Sequence, residues 1–201
     1  MTQPMVNAHL FIDYQNVHIS GHELFGGQYA PVHKSLIHPV RFADRVAIER
    51  NAKVHQQVQI SEIHVYRGQP SSNQDPTAAA RNKAQAADWT RDPRVKVHSR
   101  TLRYPRDGSA PREKGVDVML AIDLVRCSIA KSAEVIILAS RDTDLLPALE
   151  AAYDLDGSIV EVASWAGGSR LRFSTAEGRR PLWSTTLDSA AHGASLDPRS
   201  Y

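Results

Sequence analysis

"VIILASRDTDLLPAL", residues 135–149, passes from a dry apolar run into two carboxylates within three positions, Asp142 and Asp144. Residues 135–140 read as a buried strand because Val, Ile and Leu follow one another without a charge, and the leucines and alanine beyond Asp144 read as a helix. Pro147 is tolerated only near a helix's first turn, so that helix starts around Thr143 or Asp144. One of the two acids can be its N-cap. The other has no structural assignment, and its place at the mouth of a buried strand asks for a chemical one.

Outward from this stretch the chain alternates. "HLFID" (9–13), "VQISEIHVYRG" (58–68), "RVKVHSRTL" (94–102) and "SIVEVASW" (158–165) are rich in β-branched and aromatic residues and read as strands. Between them, residues 38–57, 75–89, 113–131 and 143–155 have the length and composition of helices. "VDVMLAIDLV" alternates like a strand, but it continues to Lys131 without a breaker and is too long for one. Strands separated by helices predict right-handed βαβ crossovers, a parallel sheet with helices on both faces, and function at the carboxyl ends of the strands. Residues 17–38 read as a long Gly- and His-containing connection. There the Ser20-Gly21 pair argues against a helix, and His18 and His22 are expected as surface loop residues without a metal role. The domain is expected to occupy residues 1–183, with 184–201 as a loose tail.

Composition bounds the function. The 201 residues, 42% of them hydrophobic, suffice for one large domain with a proper core. Lys and Arg number 24 against 22 acidic residues, so nucleic-acid binding would have to rest on local patches. Cys127, the one cysteine, forbids an internal disulfide and fits a reducing, cytoplasmic setting. No basic leader with an apolar core and no run of apolar residues long enough to span a bilayer is visible, so no membrane role is expected. Neither a Walker A sequence nor a Gly-x-Gly-x-x-Gly turn occurs in the required context.

The acids are the chemistry-bearing residues. Asp13 ends the first strand and Asp142 follows the fourth, with Asp144 close behind. Asp117 begins a helix that follows another strand, so all four are expected on one sheet edge. Carboxylates crowded together repel and raise one another's pKa, and a hard divalent cation relieves that repulsion. Mg²⁺ or Mn²⁺, which prefer oxygen ligands, fit such a set, and no Cys/His spacing suggests zinc. Each acid also has a plainer reading: Asp13 with Asn16 as an Asx turn, Asp117 as a first-turn acid complementing the helix dipole.

"LFIDYQN", "KGVDVMLAIDL" and "VIILASRDTDLLPAL" followed by "GSIVEV" together resemble the NYN domain, a PIN-like nuclease family that includes the LabA-like proteins. The likeness spans roughly residues 8–165. It implies a PIN-like three-layer α/β sandwich with a central, mostly parallel sheet and helices on both faces, and a metal-dependent ribonuclease site using Mg²⁺ or Mn²⁺. Carried over by motif, Asp13, Asp117, Asp142 and Asp144 would hold metal, and Asn16 would orient substrate or water. Arg141 stands where glycine is common in the family, and Leu145 where an aromatic is common. Asp123 points about 240° around the helix from Asp117 and is taken as structural.

For substrate, residues 100–114 carry Arg100, Arg103, Arg106, Arg112 and Lys114 around Tyr104, with Arg141 nearby in the motif. Such a loop can grip the phosphates of RNA while Tyr104 stacks on a base. Arg67, Arg81 and Lys83 would extend the patch. The alternatives are a catalytically inactive RNA-binding or regulatory module on the same fold, and a phosphatase of the haloacid dehalogenase type. The phosphatase chemistry wants a second acid where Gln15 stands. Homo-oligomerisation is left open.

Overall fold

Alternate residues of the first strand, β1 (Val6–Asp13), enter opposite layers: Ala8, Leu10 and Ile12 face one core and Phe11 the other. A chain that buries both faces of a strand needs cover on each side, and the helices supply it. The computed structural model describes residues 4–27, 29–174 and 178–201; Gln28 of the glycine-rich connection lies outside them.

The other strands are β2 (Val58–Gln69), β3 (Val95–Thr101), β4 (Val135–Ala139), β5 (Ile159–Trp165) and β6 (Trp183–Leu187). All pair in parallel, in the order β3-β2-β1-β4-β5-β6. Helices α1 (Tyr14–Phe25), α2 (Pro39–Asn51), α3 (Pro76–Trp89) and α6 (Ser189–Ser195) contribute to the first core through Val17, Phe42, Val46, Trp89 and Ala191. On the other face, α4 (Val116–Ala130) and α5 (Leu146–Asp154) close the second core with Leu120, Leu124 and Leu149. Among the described residues no helix is long and apolar enough to cross a membrane.

From β1 the chain winds outward to β2 and β3 on one side, and from β4 to β5 and β6 on the other. The topological switch therefore falls between β1 and β4, where adjacent connections leave in opposite directions and open a crevice at the carboxyl edge.

Two expectations are corrected. The connection read over 17–38 begins with α1, which runs straight through Ser20 and Gly21. Ser20 is buried and bonds back to the Asn16 carbonyl, while Gly21 lies so close to Trp165 and His192 that a Cβ would stand 3.0 Å or less from each. Packing that only glycine permits has overridden propensity. On this helix His18 Nε2 lies 2.9 Å from the Val32 carbonyl and His22 Nδ1 2.8 Å from Ser35 Oγ, so the two histidines fasten the following 3₁₀ turn, Val32–Ser35, rather than sit in a loop. The segment after 183, expected as a loose tail, completes β6 and forms α6. Beyond α6, Asp197 accepts from Trp89 Nε1 at 2.9 Å, and Arg199 pairs with Asp88 at 2.6 Å.

Candidate functional site

The crevice at the switch point is built from strand ends and the loops they feed. Asp13, the last residue of β1, is 4% exposed and caps α1, its Oδ1 accepting from the Asn16 amide at 3.3 Å. Its Oδ2 accepts from Ser140 Oγ at 2.8 Å, and Ser140 Oγ in turn accepts from the Asp142 amide at 3.0 Å. Asn16 Oδ1 takes the Arg141 amide at 3.1 Å. Three side chains thus lock the turn after β4 onto the end of β1. The backbone cannot pair there because the strands have diverged, so polar side chains take its place.

Asp142 caps the short 3₁₀ turn Thr143–Leu145 by accepting from the Asp144 amide at 2.9 Å. Asp117 lies in the first turn of α4, whose N-cap, Gly115, adopts a left-handed conformation at φ 74°. Asp13, Asp117 and Asp142 offer carboxylate oxygens all within 4.8 Å of one another. Together with Gln15, Asn16, Ile19, Glu113 and Arg141 they line an open cavity of about 320 Å³.

The electrostatics follow from crowding. Burial, reinforced by Asp117 and Glu113, raises the Asp13 carboxyl from 3.8 to about 7, although the Ser140 and Asn16 hydrogen bonds favour the anion. Asp117 is raised by burial and then by Asp142 and Asp144. Glu113 is raised chiefly by burial, with Asp117 adding to it. Three carboxyls shifted in one direction mark a place short of positive charge. Arg141, the one cation in the cavity wall among the described residues, is paired with Glu23 at 2.8 Å. A hard cation with oxygen ligands is what this donor set fits, and Asp13, Asp117 and Asp142 are the residues that could hold it.

Asp144 does not join the cluster. It is exposed and absent from the cavity wall, acting on Asp117 only through its charge. Asp123 is remote from the site: its Oδ2 accepts from Tyr66 OH at 3.1 Å. Glu113 was missed as a site residue. Its carboxylate accepts the Gly68 amide, and Gln15, with its amide oriented by its partners, donates to both Glu113 oxygens at 3.1 Å. Four positions before Asp117 and just outside the helix, Glu113 had no periodicity to reveal it. Ser140 was likewise passed over as the end of an apolar run.

Residues 102–114 form a hairpin, with Arg103 and Arg112 exchanging backbone hydrogen bonds at 2.9 and 3.1 Å. Its basic side chains, Arg103, Arg106, Arg112 and Lys114, are exposed, and its base reaches the cavity through Glu113. Tyr104 is half-buried, its hydroxyl accepting the Ser71 amide at 2.9 Å. Arg67 is no surface cation: it is buried between the rings of Tyr14 and Trp89 and donates to Gln85 at 2.9 Å.

A parallel α/β sandwich with three acids gathered at its switch point is the arrangement of a nuclease-like protein of the PIN fold. The chain belongs to the NYN domain family, whose model matches residues 7–175. Nucleases of this family typically use divalent metals. No curated protein matches the chain. Among solved structures, the chain is similar to a protein of unknown function from Vibrio parahaemolyticus, with 18% identity, a TM-score of 0.49, and coverage of 80% of this chain and 82% of that one.

Proposed function

We propose that this protein is an endoribonuclease that hydrolyses RNA phosphodiester bonds with Mg²⁺ or Mn²⁺ held by Asp13, Asp117 and Asp142. The observation that carries the reading is the convergence of these three carboxylates from β1, α4 and the turn after β4 on one spot, oxygens within 4.8 Å of one another. A bound divalent ion would supply charge to the phosphate oxygens and activate water for in-line attack. The protein's own part is positioning. Ser140 fixes the rotamer of Asp13, and Asn16 holds the Arg141 amide so that Asp142 keeps its place. Glu113, protonated more readily than an ordinary Glu, stands at the cavity wall where it can hold or release a proton.

The RNA reading rests on the exposed cations of the hairpin, Arg103, Arg106, Arg112 and Lys114, which leave the same sheet edge as the acids. They suit a phosphate backbone. Arg141 can add to them only by leaving Glu23. Pure binding is a weaker reading, because a site that only bound RNA would gain nothing from acids placed where phosphates approach.

The test is cleavage of a single-stranded RNA by purified protein with Mn²⁺ or Mg²⁺. Activity should stop with EDTA and fall by about a hundredfold or more in Asp13→Asn and Asp142→Asn, while Asp144→Asn falls less. Equal cleavage by the folded Asp13 and Asp142 variants would assign the activity to a contaminant. No cleavage with any divalent ion would leave a binding module on the same fold.

A further inference from the structure

A second group of metal-binding side chains lies on the same face of the sheet, about 13 Å back along β1 from Asp13 by the rise of four strand residues. It combines His9 on β1 with Glu62 and His64 on β2, whose donor atoms also lie within 4.8 Å of one another. A register shift in the β1–β2 pairing after Ala8 makes this possible: His9 is opposite Glu62, and Glu62 and His64 then share a face. We propose that His9, Glu62 and His64 form a site for a zinc-class divalent ion, separate from the acid cluster and independent of the nuclease reading.

Three features of the geometry support the assignment. His64 Nε2 is buried and lacks a hydrogen bond, although Glu62 Oε2 is only 2.9 Å away. A contact off the N–H axis is poor for a hydrogen bond, whereas two ligands about 2.1 Å from one tetrahedral ion stand about 3.4 Å apart, a spacing that the 2.9 and 3.7 Å separations of Glu62 Oε2 from His64 and His9 bracket. The opposite ring nitrogen, His64 Nδ1, lies 3.2 Å from His98 Nε2, and His98 Nδ1 lies 4.0 Å from Asp123 Oδ2. With His64 Nδ1 donating to His98 Nε2, the lone pair of His64 Nε2 faces Glu62, and His98 takes the place of the outer partner of a metal-binding histidine. Third, His9 Nδ1 lies 3.7 Å from Glu62 Oε2 and 3.5 Å from Cys127 Sγ, which places a thiol on α4 beside the group as a candidate fourth donor.

Imidazole nitrogens and a thiol select zinc-like ions, whereas the all-oxygen cluster selects Mg²⁺ or Mn²⁺. Burial lowers the pKa of both histidines, His64 to about 4, so their lone pairs are available at neutral pH. Lys96 opposes binding: its ammonium pairs with Glu62 Oε1 at 2.6 Å and leaves only Oε2 for an ion. An ion held there would join β1 to β2 beneath α4, the helix that also carries Asp117.

The experiment titrates metal-free full-length protein with Zn²⁺ against a chromophoric chelator, and separately with Co²⁺ while recording visible absorption. The Asp13→Asn/Asp142→Asn double variant should take up one equivalent, and wild type at least one. Glu62→Gln and His64→Gln should bind about tenfold more weakly or worse. Glu62 is partly exposed, so its variant keeps the test valid should His64→Gln fail to fold. Zn²⁺ should also raise Tm in wild type and not in Glu62→Gln. No uptake, uptake unchanged in the Glu62 and His64 variants, or uptake lost in the Asp double variant would each overturn the site.

Discussion

Asp13 does two jobs, and they pull in opposite directions. As the cap of α1 and the acceptor for Ser140 it is better ionised; as a buried acid facing Asp117 and Glu113 it is better protonated, and burial wins, with a carboxyl raised from 3.8 to about 7. Between those values the metal-free folded chain binds a proton that the unfolded chain has released. The stability it contributes is complete below pH 3.8 and is lost as pH rises through about 7. His64 opposes this in the same range: lowered from 6.5 to about 4, it makes the fold more stable as pH rises. The two separate in a difference measurement. Denaturant melts of metal-free wild type and Asp13→Asn should show the variant gaining on wild type steadily from about pH 4 to 7. A constant difference across that range would mean Asp13 is ionised throughout. Ser140→Ala should keep the fold but weaken Mn²⁺ affinity, measured by calorimetry, because Asp13 loses the hydroxyl that fixes its rotamer. Unchanged affinity would remove Ser140 from the account.

Among the elements, α1 shows best where sequence reasoning reaches and where it stops. Five strands and four helices were legible because their apolar spacing is set by the core they enter. The α1 helix was not, since its glycine is explained only by Trp165 and His192, residues far away in the chain. Gly21→Ala gains up to about 1 kcal/mol of helix propensity and loses about 1–3 kcal/mol to overpacking. Trp165 is held by a hydrogen bond to the Val17 carbonyl at 2.9 Å and His192 is 4% exposed, so neither yields easily. Tm should fall; a rise would show that the contact relaxes freely. "WSTTL" was missed as β6 because it is short and half polar, a pattern that an edge strand of a parallel sheet shares with loops. Asp13, Asp117 and Asp142 could be placed from sequence since strand ends and helix starts are readable. Glu113 and the His9–Glu62–His64 group could not, because a hairpin and a register shift decide where those side chains point. One sign was available: in "VQISEIHV" the apolar positions 58 and 60 change parity to 63 and 65, as a bulge requires.

Across the whole molecule, one buried ion pair ties the layers together. Arg50, 1% exposed on α2, donates through Nε and a terminal nitrogen to both oxygens of Glu161 on β5, each at 2.7 Å. Removing one partner strands a buried charge and costs about 3–5 kcal/mol, whereas replacing both by apolar residues of similar volume is often neutral. Glu161→Ala should therefore lower the denaturation midpoint sharply, and Arg50→Met/Glu161→Leu should recover most of it. Equal loss in both variants would mean the pair contributes net stability of its own. The same sheet that this pair braces carries the switch point, where we propose that Asp13, Asp117 and Asp142 close on a single divalent ion. Crystals soaked in Mn²⁺ and measured for anomalous scattering test it most directly. A peak bounded by those three carboxylates, absent in Asp142→Asn, is the expected result. A peak elsewhere alone, or none at millimolar Mn²⁺, would contradict it.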